Sequence, residues 1–127
     1  MIPNTIQQTV YKYGSEEYSW LKKDVAEALT ALSENGYAIL GGEAWIVKYR
    51  KIYGLLPCKD GSSGCFHWDT QEKQLNESWS EFCGHTAAES LESIRGFDAE
   101  SYVLTELIDY IYYNLCFVTE SEYAELK

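Results

Sequence analysis

Ala38-Ile39-Leu40-Gly41-Gly42-Glu43-Ala44-Trp45-Ile46-Val47, AILGGEAWIV, is two apolar runs meeting at a glycine pair, marked by one carboxylate and one tryptophan. Tyr37 to Leu40 is too short for a helix and lies between glycines, so it predicts a strand that enters a turn at Gly41-Gly42. After that turn, Trp45, Val47 and Tyr49 fall on one side of an extended chain and Ile46, Lys48 and Arg50 on the other. The stretch does not read as a phosphate loop, because no Lys-Ser/Thr pair follows the glycines and the spacing of a dinucleotide fingerprint is absent. Trp45 reads as core, and Glu43 as a strand-end carboxylate, open between a solvated position and contact with a partner.

Upstream, Ser15 with Glu16 and Glu17 reads as a capped helix start. Tyr18, Leu21, Val25, Ala28, Leu29 and Leu32 then share one face at helical spacing, and Asn35-Gly36 supplies the stop. This predicts a long helix over Glu16 to Glu34. Downstream, CKDGSSG at 58–64 is a turn-rich loop and Cys65 to Trp68 resumes an extended pattern. Trp79 to Phe82 is open between strand end and irregular chain. Thr86-Ala87-Ala88-Glu89 is a capping-box pattern that predicts a short helix from Ala87 to Arg95, stopped by Gly96. The segment 97–109 stays open between helix and strand. Tyr110 to Val118, YIYYNLCFV, predicts a central strand covered on both faces, and Thr119 to Glu122 starts a final short helix. Together these predict one α+β domain over residues 1–127: a mostly antiparallel sheet packed with one long N-terminal helix and two or more short helices.

At 127 residues and 46% hydrophobic, the chain can bury a core without metal or disulfide staples. The N-terminus has no export pattern, and no apolar run approaches the roughly 18 residues of a membrane span. The expectation is a cytoplasmic protein without a membrane partner, whose four cysteines are reduced thiols. A net charge of -10 argues against nucleic acid, which calls for a basic footprint. That charge is uneven: residues 1–73 are close to neutral, whereas Arg95 is the one strong base among residues 74–126. A field of one sign over one half favours a basic protein partner, although an acidic surface also serves solubility alone.

Two constellations carry possible chemistry. Cys65-Phe66-His67 and Cys83-Gly84-His85 are Cys-x-His pairs that in principle build a zinc site, or a thiol enzyme with a nearby acid such as Asp69. Their spacing matches no zinc knuckle and no nucleophile signature. The second constellation sets acids beside tryptophans: Trp68 with Asp69, and Glu77 and Glu81 flanking Trp79. Tryptophan and tyrosine concentrate at the energetic centres of interfaces. Glu43, Trp68, Asp69, Glu77, Trp79 and Glu81 are therefore the candidate partner-binding residues, with no catalytic residue and no cofactor.

The order of Asn35-Gly36, AILGGEAW at 38–45, a Trp68-containing strand, ESWSEF at 77–82, AAESLESI after Thr86 and YIYYNLCFV resembles the bacterial immunity protein 40 family. Such proteins are encoded beside polymorphic or contact-dependent toxins. The resemblance, over about residues 16–118, implies a non-enzymatic inhibitor that binds a cognate toxin and masks its active or substrate-binding surface. The acidic excess fits a toxin with a basic groove, as in a nuclease.

Overall fold

The computed structural model describes residues 2–14 and 17–127. Asn4–Gln7 forms a single helical turn (α1), Tyr11–Tyr13 and Glu17–Leu21 are strands β1 and β2, and Lys22–Glu34 is helix α2. Strand β3 runs through Ala38–Lys48 and folds back into β4 at Lys51–Tyr53. Leu56–Pro57 (β5) and Ser63–Gly64 (β6) make a small separate ladder, followed by β7 at His67–Asp69. Helix α3 spans Trp79–Gly96 and a short α4 spans Ala99–Tyr102. A 3-10 turn at Thr105–Tyr110 leads into β8, Ile111–Val118, and α5 closes the order at Glu120–Glu125.

The main sheet has the order β1-β2-β8-β3-β4, with β7 also paired to β3, and every pairing is antiparallel. Helices α2 and α3 pack on each other and against this sheet. The alternation of β3 decides which side chains meet them. Ala44 and Ile46 join the main core with Tyr113, Leu115 and Ile111 of β8, while Glu43, Trp45 and Val47 alternate to the other face. Trp20 of β2 is completely buried in the same core and its indole N–H donates to the Ile6 carbonyl at 3.1 Å. Burial of an aromatic side chain of this kind stabilises by about 2–3 kcal/mol, and the hydrogen bond removes the cost of its polar tip.

The long helix lies elsewhere than the sequence reading placed it. Of that N-terminal helix, Ser15 and Glu16 fall outside the described residues, and Glu17 to Leu21 is strand β2, leaving 13 residues for α2. Pairing of Ser19, Trp20 and Leu21 with Asn114, Tyr113 and Tyr112 overrides local helical spacing. The longest helix is α3, with 18 residues, in the C-terminal half. Its cap is Ser78, whose hydroxyl accepts the Glu81 N–H at 3.1 Å while the Glu81 carboxylate accepts the Ser78 N–H at 2.9 Å. That reciprocal pair sits eight residues ahead of the Thr86 pattern. Thr86 is instead interior and fully buried, accepting the Ile39 N–H at 3.0 Å and donating to the Cys83 carbonyl at 3.2 Å.

The predicted turn at Gly41-Gly42 is also corrected. Both glycines lie inside β3, which continues through them with a register shift between Ile39 and Gly41. A Cβ on Gly42 would stand 2.1 Å from the Asn114 carbonyl oxygen and 2.5 Å from the Trp68 ring, and one on Gly41 would stand 2.3 Å from the Trp68 carbonyl oxygen. The pair is there for close approach of β7 and its tryptophan. The turn comes at Tyr49-Arg50, read from sequence as extended, where both residues take a left-handed backbone, with φ of 52° and 63°. Lys48 and Lys51 pair across this two-residue hairpin.

Candidate protein-interaction site

Capping and cross-strand pairing position the six candidate partner-binding residues, and they fall into different environments. Trp68 is buried, 6% exposed, with its indole N–H donated to the Ser90 hydroxyl of α3 at 2.9 Å. It is a core residue and offers no ring to a partner, which corrects the reading of it as an anchor. Trp79 opens α3 half-buried, packing on Phe82 and Tyr123, and its indole N–H donates to the Gly36 carbonyl at 2.9 Å. The residues these tryptophans anchor on α3, Ser90 and Trp79 itself, are separated by about 16 Å of helix rise.

Of the acids, Asp69 is exposed at the end of β7, opposite Gly41. Glu43 is half-buried in β3, with His67 opposite on one side and Asn114 on the other. Glu81 is exposed but committed to the α3 cap, and the Ser78 N–H and hydroxyl hold its carboxyl below the ordinary glutamate range. Glu77 is half-buried, accepts the Gln74 N–H at 3.1 Å and contacts Nδ1 of His85. His85 also has Glu89 within 3.6 Å of Nε2.

The two Cys-x-His pairs do not converge. Cys65 and His67 are exposed beside β7, whereas Cys83 is buried against Ala38 and Phe82, where burial pushes its thiol up from 9.0. A thiol raised in this way is a poor nucleophile at neutral pH. Among the described residues, no group of three or more His, Cys, Asp and Glu side chains is arranged to hold a metal ion.

What the fold does bring together is a groove of about 720 Å³ between β7 and the second half of α3. Asp69, Glu89, Glu92 and Asp98 line it without a lysine or arginine, and exposed Tyr102 stands at its rim. The Phe66 and Phe97 rings, stacked at 4.3 Å, form part of the lining. The Glu89 carboxylate accepts the Gln71 N–H at 3.1 Å and ties the chain after β7 to the helix. Four carboxylates in one concave surface attract a cationic partner and repel an anionic one. Sequence reasoning found Asp69 of this set and missed Glu89, Glu92 and Asp98. Their signal was the acidic i,i+3 pair Glu89 and Glu92 on one helix face, just before the chain leaves α3 at Gly96.

No helix among the described residues is long and apolar enough to cross a membrane. The family model described as immunity protein 40 matches residues 9–117. None of the curated proteins and none of the solved structures gives a match.

Proposed function

The chain belongs to the immunity protein 40 family, and on that premise we propose that it is a cytoplasmic immunity protein that binds a cognate toxin domain and occludes its active or substrate-binding surface. It performs no chemistry of its own. The observation that carries the reading of the partner is the acidic groove between β7 and α3, whose helical wall, with Glu89, Glu92 and Asp98, belongs to the half of the chain that holds nearly all the excess negative charge. A nuclease toxin presents the complementary surface, because a groove built for phosphates is basic, and carboxylates entering it make charge-assisted hydrogen bonds. Such a pair associates fast at low salt and more slowly as salt rises.

The test is co-expression with the toxin domain whose gene neighbours this one, scored by growth rescue and by co-purification of a stoichiometric complex. Absence of both outcomes overturns the reading. Charge reversal then locates the face. Glu92→Lys, at an exposed position of α3, slows association several-fold at low salt and flattens its salt dependence, with thermal stability unchanged. Glu77 and Glu81 are unsuitable for this purpose, because one contacts His85 and the other caps α3, so reversing them confounds binding with folding.

A further inference from the structure

The backbone of β7 is paired on one side only. The Ala44 N–H donates to the Phe66 carbonyl at 2.9 Å and the Thr70 N–H to the Leu40 carbonyl at 3.2 Å, so Phe66, Trp68 and Thr70 turn their peptide groups toward β3. By the alternation of an antiparallel ladder, His67 and Asp69 turn theirs outward, toward the groove. Among the described residues nothing hydrogen-bonds those outward groups, and no strand lies beyond β7. The next outward donor, the Gln71 N–H, is taken by Glu89, which closes that end of the edge.

An unpaired edge is ordinarily guarded by shortness, charged side chains, proline or a bulge. β7 is short, at three residues, but Cys65 to Gln71 holds neither proline nor lysine, and the charges set around the edge are all carboxylates, which turn away an acidic strand and admit a basic one. We propose that the free edge of β7 takes up an extended, lysine- or arginine-bearing segment of the toxin as an added strand, seated in the groove between β7 and α3. This rests on the immunity reading and specifies how the complex is held. Main-chain hydrogen bonds to His67 and Asp69 supply affinity independent of the incoming sequence, and side chains on the helix side of the added strand fall on Glu92 and Asp98, which select positive charge. A second copy of this chain is a poor occupant, since edge-to-edge pairing would bring two sets of the same four carboxylates together.

Proline at position 67 removes an outward donor and no bond to β3, so it separates edge from fold. The measurement compares His67→Pro with His67→Ala for binding the catalytically inactivated toxin domain, with melting temperature recorded for each. The expected result is at least tenfold weaker binding for His67→Pro than for His67→Ala at similar melting temperatures. In the complex of the unaltered protein, the His67 and Asp69 amides gain protection from hydrogen exchange while the Trp68 amide, already bonded to β3, does not change. Equal binding by the two variants with no protection at His67 and Asp69 overturns strand addition and leaves the immunity reading standing. Failure of the unaltered protein to bind the toxin domain overturns both. Self-association abolished by His67→Pro makes a second copy the occupant and also overturns the proposal. Where His67→Pro melts well below His67→Ala, the amide protection pattern alone decides.

Discussion

The middle and the end of β3 handle glycine in opposite ways. At Gly42 the backbone is outside the left-handed region, yet a single added carbon would collide with the Asn114 carbonyl and the Trp68 ring. At Tyr49-Arg50, one strand end away, the backbone is left-handed and the side chains are large, with Tyr49 85% exposed. Space dictates the residue at the first site. At the second, conformation ought to dictate it and does not, so a backbone cost of about 1–2 kcal/mol per residue is retained at an exposed tip. Glycine in a sequence therefore answers two separate physical demands, and only one of them marks a turn.

The largest expected effect breaks the first half of this contrast. Gly42→Ala destabilises by about 3 kcal/mol, because both obstructing groups belong to packed strands and cannot give way. Urea unfolding measures it, and a loss below about 1 kcal/mol would show that β7 moves aside freely. The opposite change at the tip gains stability. Replacing Tyr49-Arg50 by Asn-Gly, the pair suited to two left-handed residues, stabilises by about 1–2 kcal/mol and raises the melting temperature. An unchanged melting temperature would mean that the Lys48 ammonium, 5.4 Å from the Tyr49 ring, recovers the strain. The smallest effect tests a third glycine under neither demand. Gly84 sits exposed inside α3 with nothing within 4 Å of an added Cβ, so Gly84→Ala stabilises by about 0.5–1 kcal/mol. A loss of stability there would show that the position carries a constraint the free protein hides.

This contrast explains what could be read from the residues in advance. The strand over Ile111–Val118 and the Thr119-capped helix were legible, because branched and aromatic residues and a capping box each act locally. The length of α3 was not. Its buried stripe runs through Phe82, Cys83, Thr86, Ala87, Ser90 and Ile94, and all of it but Phe82 and Ile94 is small or polar, which blunts hydrophobic periodicity. Thr86 and Ser90 are inside because Ile39 and Trp68 each bring a donor to them, pairings separated by 47 and 22 residues that no local window contains. The same long range hid the groove. Asp69 and Glu92 become neighbours only once β7 lies against β3 and α3 crosses beside it. A tryptophan next to an acid looked like an interface anchor, and the glycine that gives Trp68 its berth lies 26 positions earlier.

The place of β8 between β2 and β3 sets an order of events. Ser19 pairs with Asn114 and Ala38 with Val118, so the sheet is bridged by its last strand to be synthesised. On a translating ribosome, β2 and β3 wait several seconds for that strand, with the sides it will occupy exposed. Ladders joining such distant segments also form slowly once the chain is complete. The complete sheet, and any surface that depends on it, accordingly lags behind synthesis by the closing of one strand.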